Sequence, residues 1–143
     1  DVYGFKKSIK PHLKKHHRKA LILGTGGASK AIAFVLEDLS IDYRFVSRNA
    51  SGDRFAYHDI NEEILSTFCV IVNCTPLGTF PEVDQRPELP YRFLTEKHLL
   101  FDLIYNPKKT AFLKAGEQQG ATILNGLSML EFQAEKSWRI WNK

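Results

Sequence analysis

The chain has 143 residues, 43% of them apolar, which suits one ordinary domain with a single core. Its two cysteines exclude a disulfide framework or zinc ribbon, and no run reaches the roughly 18 apolar residues of a membrane span, so no membrane contact is expected. The net charge of +4 is concentrated in Lys6, Lys7, Lys10, Lys14, Lys15, Arg18 and Lys19; with only Tyr3 and Phe5 as stacking platforms, this stretch reads as a solvated face without a nucleic-acid partner.

The N-terminus has no basic segment followed by an apolar run, and the expected compartment is the cytoplasm. Cys69 and Cys74 fit buried, reduced thiols, and Cys74 has nothing nearby that would lower its pKa. A helical lead is predicted over residues 3–17. His12, His16 and His17 include a pair at helical spacing, but without a carboxylate or cysteine nearby they read as surface histidines, and no metal is expected.

An apolar run over 19–24 predicts a strand, and Gly24-Thr25-Gly26-Gly27-Ala28-Ser29 a tight turn into a helix over 30–39. A second strand is predicted over 43–47, a polar stretch over 48–54, a weak strand over 55–57, a short helix over 61–65 and a strong strand over 69–73. Pro76, Pro81, Pro87 and Pro90 make regular structure unfavourable over 75–90. A strand over 99–103, a helix over 110–119 closed by Gly120, a strand over 121–124 and a helix over 127–141 complete the pattern. Repeated strand–helix alternation predicts a Rossmann-like α/β fold: a doubly wound parallel sheet flanked by helices in three layers, with no internal boundary across 1–143.

A glycine-rich turn between strand and helix lets backbone N–H groups approach a pyrophosphate, with the helix N-terminus favouring its charge. Ser29 breaks the strict glycine spacing, and a tight turn that binds nothing would look alike. At the end of the second strand, Ser47, Arg48 and Asn49 stand where an NAD-specific domain places an acid; Arg48 suits a 2′-phosphate, so NADP(H) is the expected cofactor. Arg54 is either a second clamp or a solvated surface residue. The strand ending at Asn73 brings Asn73 and Thr75 to the sheet's carboxyl edge, where ligands bind.

Four segments resemble shikimate dehydrogenase, in order and at its spacing. They are the glycine turn, Asn73-Cys74-Thr75-Pro76-Leu77-Gly78, Asp102-Leu103-Ile104-Tyr105-Asn106-Pro107, and Asn125-Gly126-Leu127-Ser128-Met129-Leu130 leading to Gln133-Ala134. Asp1-Val2-Tyr3-Gly4-Phe5 also resembles the end of that family's Asn-Thr-Asp-Gly-x-Gly-Phe motif, with Val2 in place of its first glycine. The resemblance implies NADPH-dependent reduction of 3-dehydroshikimate to shikimate, in aromatic amino-acid biosynthesis. It makes Asp1 the catalytic aspartate, whose lysine partner belongs to a substrate domain missing ahead of this chain; the chain alone is then expected to be inactive. The lead helix and the helix over 127–141 would pack on that domain.

For substrate, the resemblance implies Asp1, Tyr105 and Gln133. For cofactor it implies Gly24, Gly26, Gly27, Ala28, Ser29, Ser47, Arg48, Asn49, Thr75, Pro76, Leu103, Tyr105, Gly126 and Met129. The family's basic clasp usually carries a second arginine where this chain has Gly52, so Arg54 enters by analogy only. Met129 at helical spacing with Leu130 and Phe132 also reads as core. Quinate/shikimate dehydrogenases that accept NAD, methylene-tetrahydrofolate dehydrogenases, glutamyl-tRNA reductase domains and a non-enzymatic NADP-binding module are the rivals. The 125–134 segment disfavours the two unrelated enzymes, and the missing acid after the second strand disfavours NAD.

Overall fold

Short runs of valine, isoleucine and leucine make strands that are buried on both faces when helices cover each side. The computed structural model describes residues 2–142 and follows that rule. In chain order it forms α1 (Val2–Ile9), β1 (Lys19–Leu23), α2 (Gly27–Asp38), β2 (Asp42–Ser47), β3 (Phe55–Ala56), α3 (Glu62–Thr67), β4 (Val70–Asn73), β5 (Leu99–Asp102), α4 (Ala111–Gln118), β6 (Thr122–Leu124) and α5 (Leu127–Trp141). The six strands lie in the order β3-β2-β1-β4-β5-β6, and every neighbouring pair is parallel. The chain therefore winds outward twice from a switch point between β1 and β4.

Period-two alternation divides the core. Leu21, Leu23, Ile71 and Leu100 face one side, where they meet Leu65 of α3 and Phe112 and Leu113 of α4. Ala20, Ile22, Val70, Val72 and Phe101 face the other, against Phe5 and Ile9 of α1, Ile32, Val35 and Leu36 of α2, and Met129 of α5. Phe5 meets Phe101 edge to face with centroids 4.9 Å apart. Three layers result, as the sequence pattern predicts. The proline-rich segment after β4 is irregular but well packed: Tyr91 and Leu94 are buried, and the Tyr91 hydroxyl donates to the Pro87 carbonyl at 2.7 Å.

The expected lead helix over 3–17 is much shorter. It stops at Ile9, and Lys10–His12 forms a single 3-10 turn with Pro11 near its start, because proline supplies no N–H and its ring blocks the preceding turn. Without a helix through Pro11, His12 and His16 do not share a helix face. His16 and His17 instead both place Nε2 2.9 Å from the Lys97 carbonyl, ahead of β5. Helix α2 starts three residues earlier than expected, because its first turn is built from the glycine loop itself.

Candidate dinucleotide and substrate clefts

The turn from β1 to α2 needs glycine for a geometric reason. Gly24 has φ +103°, a left-handed conformation that costs other residues energy, and its N–H donates to the Val46 carbonyl at 2.9 Å. Gly26 caps α2 with no side-chain hydrogen bond, so no side chain spends the helix's N-terminal donors. Gly27, Ala28 and Ser29 form the first turn; Ser29 is fully buried, and its hydroxyl donates back to the Gly26 carbonyl at 2.5 Å, bracing the loop from behind.

A cavity of about 630 Å³ opens above this turn. Its walls include Gly24, Thr25, Gly26, Ser47, Arg48, Asn49, Arg54, Thr75 and Pro76, so the sheet gathers most of the expected cofactor residues into one cleft. The lining carries two arginines and no carboxylate. Ser47 Oγ donates to the Asn49 carbonyl at 2.8 Å, which holds the turn that presents Arg48. These residues fit a phosphorylated dinucleotide: free N–H groups for a pyrophosphate, and guanidinium groups for a further phosphate.

At the ends of β4 and β5 lies a buried polar network. The Asn73 amide donates to Asp102 Oδ1 at 3.2 Å, while Asn73 Oδ1 accepts from Thr75 N and Thr75 Oγ1 at 3.0 and 2.7 Å. Asp102 also accepts from Ile104 N at 3.1 Å and Thr110 Oγ1 at 2.7 Å. Burial pushes the Asp102 carboxyl up to about 6 despite these donors. Burial likewise pushes the Cys74 thiol up to about 12, so it is an inert small residue in the cleft wall, in keeping with the sequence reading.

Beyond β5 a smaller hollow of about 240 Å³ is lined by Leu103, Tyr105, Gly126, Met129, Leu130 and Gln133, five of which the sequence names. Gly126 is required by close approach: a Cβ there would stand 1.9 Å from the Leu103 carbonyl oxygen. Gln133 Oε1 accepts from Gly4 N at 3.3 Å, tying α5 to the start of α1. Met129 is partly buried against the core while lining this hollow, so both readings of it hold. Asp1 lies outside the described residues. Among those described, no helix is long and apolar enough to cross a membrane.

Sequence reasoning missed Ser51, Tyr57 and Leu77 in the larger cleft and Leu130 in the smaller. Tyr57 carries no motif, and the sheet register is what places it. Ala56 pairs with Ser47 in the sheet, so the next residue of each strand, Tyr57 and Arg48, emerge side by side at the same edge.

A parallel six-stranded sheet with a glycine turn and an uncapped helix at its switch point defines a Rossmann-like domain. No protein-family model matches the chain. Named relatives do. Shikimate dehydrogenase (NADP(+)) of Methanococcus vannielii is 32% identical over 99% of the chain and 56% of that protein, and the protein of the same name from Desulforamulus reducens is 35% identical over 87% of the chain and 49% of its own length. Among solved structures, a chorismate mutase/shikimate 5-dehydrogenase fusion protein from Clostridium acetobutylicum superposes with a TM-score of 0.81 at 32% identity, over 99% of the chain and 54% of that protein. The chain is thus a homologue of shikimate dehydrogenase along almost all of its length. It spans about half the length of the curated relatives it matches.

Proposed function

We propose that this chain is the NADP(H)-binding half of a cytoplasmic shikimate dehydrogenase, which presents the nicotinamide to 3-dehydroshikimate for reduction to shikimate. One observation carries the reading: a single cleft joins an uncapped helix N-terminus to Arg48 and Arg54 with no carboxylate in its lining. A 2′-phosphate meets complementary charge there, whereas the diol of NAD would find no acidic acceptor.

In this reading the first turn of α2 holds the pyrophosphate, and Arg48, with Arg54 as second clamp, holds the 2′-phosphate. Thr75 and Pro76 bound the adenosine side, while Leu103, Tyr105, Gly126 and Met129 hold the nicotinamide flat. The bound cofactor supplies the hydride for the C3 carbonyl. Gln133 offers both a donor and an acceptor to substrate hydroxyls, with Tyr105 beside it. Asp1, paired with a lysine from a substrate-binding domain, holds the proton that moves at the C3 oxygen. Helices α1 and α5 pack against that domain, a role in keeping with the exposure of Ile140, Trp138 and Trp141 near the end of α5. The chain alone is then inactive.

Calorimetric titration of the chain with NADP⁺ and NAD⁺ at equal ionic strength tests the cofactor. NADP⁺ should bind at least about tenfold more tightly, the worth of one charge-assisted pair; equal affinities would reject the 2′-phosphate assignment. Joining the chain to a shikimate-binding domain should produce NADP-dependent shikimate oxidation, and a folded product without it would reject the enzyme reading.

A further inference from the structure

Helix α1 buries Gly4, Phe5, Ser8 and Ile9, and Ser8 is the one among them that carries a polar side chain into the protein. It is 7% exposed, and its Oγ is the only buried side-chain nitrogen or oxygen among the described residues without a hydrogen-bond partner. A helical serine can spend its hydroxyl on the carbonyl four residues back, but the Gly4 carbonyl does not take it here. Leaving a buried hydroxyl unpaired is unfavourable, so the group calls for a partner.

Ser8 lines a hollow of about 260 Å³ whose other walls include His12, Phe101, Leu124, Asn125 and Ser128. It shares no residue with either cleft described above. The Ser8 and Ser128 hydroxyls and the His12 imidazole make no hydrogen bond or ion pair among the described residues, and each can donate. Asn125 differs, because its Oδ1 already accepts from Leu127 N at 3.0 Å and its Nδ2 donates to the Lys108 carbonyl at 2.9 Å. No carboxylate lines the hollow. Lys10, Lys14 and Lys15 flank His12 in the chain, and none of them forms an ion pair among the described residues, so the local field favours an anion.

We infer that this hollow between α1, β6 and the start of α5 is a binding site for a small oxyanion, a carboxylate or a phosphate, held by the Ser8 and Ser128 hydroxyls and the His12 imidazole. The site stands apart from the proposed cofactor cleft and does not depend on that reading.

The test is a residue-resolved NMR titration of the isotope-labelled chain with potassium phosphate and with potassium acetate, against potassium chloride at equal ionic strength and pH. One or both oxyanions should shift the amides of Ser8 and Ser128 and the ring of His12 along one saturable curve; the tighter of the two names the source. Ser8→Ala should weaken that curve about tenfold, the worth of one hydrogen bond to a charged group. The variant removes an unpaired hydroxyl, so without ligand it should be at least as stable as the parent chain. Ser128→Ala, at an exposed position, should weaken binding in the same way without disturbing the core. Shifts that merely follow chloride, that never saturate, or that saturate alike in both variants would overturn the site. Phosphate that enters the larger cleft is read separately at Gly26 and Arg48 and is displaced by NADP⁺. A chain that ignores NADP⁺ yet shows the Ser8 curve would lose the cofactor reading and keep this one.

Discussion

Asn73 and Asp102 are register partners at the ends of β4 and β5, and the Asn73 amide donates to the Asp102 carboxylate at 3.2 Å. Through this pair the two clefts share one support: Asn73 orients the loop bearing Thr75 and Pro76, while Asp102 orients the loop bearing Leu103 and Tyr105.

The charge state of Asp102 should appear in the pH dependence of stability. Its folded pKa of about 6 lies above the model-compound value of 3.8, so the native state binds this proton more tightly than the unfolded chain does. Its contribution is fully present below about pH 4 and is lost as pH rises through about 6, on the order of 2 kcal/mol. Urea unfolding from pH 4 to 7 should show this fall, and Asp102→Asn should remove it while lowering stability throughout, because an amide cannot accept from all of its neighbours. An unchanged pH slope in the variant would refute the assignment.

His17 and His98 should act with the opposite sign. Each is buried and accepts a backbone N–H at Nδ1, from Lys14 and Thr95 at 2.9 and 3.0 Å, with Nε2 directed at the carbonyls of Lys97 and Leu65. A proton on Nδ1 would oppose those N–H groups, and burial lowers both pKa values. Their contribution is present above the unfolded value of 6.5 and is lost as pH falls through the folded values. His98→Gln should lower stability by about 1 kcal/mol at pH 7 yet reduce the acid-side loss; an unaltered acid limb would exclude His98 as a source.

Arg48→Ala should weaken NADP⁺ by about 10- to 100-fold and NAD⁺ by far less, because the guanidinium meets a phosphate only in the former. Titrations of both ligands decide this, and equal losses would assign Arg48 to the base or ribose instead.

Gly126→Ala should be among the most damaging single-atom-group additions. The new methyl would sit 1.9 Å from the Leu103 carbonyl oxygen, so β5 and the start of α5 must move apart. A loss of about 2 kcal/mol or more is expected in thermal or urea unfolding, as for other overpacked sites. Wild-type stability would mean that this junction is freely adjustable.

Much of this protein was legible in its sequence. The strand at 69–73, the glycine turn and the helix over 127–141 announce themselves through local periodicity and composition, and the observed elements β4 and α5 agree to within a residue. Arg48 could be placed at the cleft because it directly follows a strand whose direction the α/β alternation dictates. The lead helix failed for a local reason that was also visible, Pro11.

Other features depended on neighbours distant in sequence. His17 looks like one more surface histidine until the Lys97 carbonyl, 80 residues away, meets its ring. Tyr57 has no motif; it enters the larger cleft because β3 pairs with β2. The sequence by itself determined which segments became strands and helices, where the chain turns and which charge awaits a ligand, since these depend on residues close along the backbone. Only the tertiary structure decided the shapes of the clefts, the pairing of Asn73 with Asp102 and the protonation of the buried groups, because strand order and burial are set by contacts between distant parts of the chain.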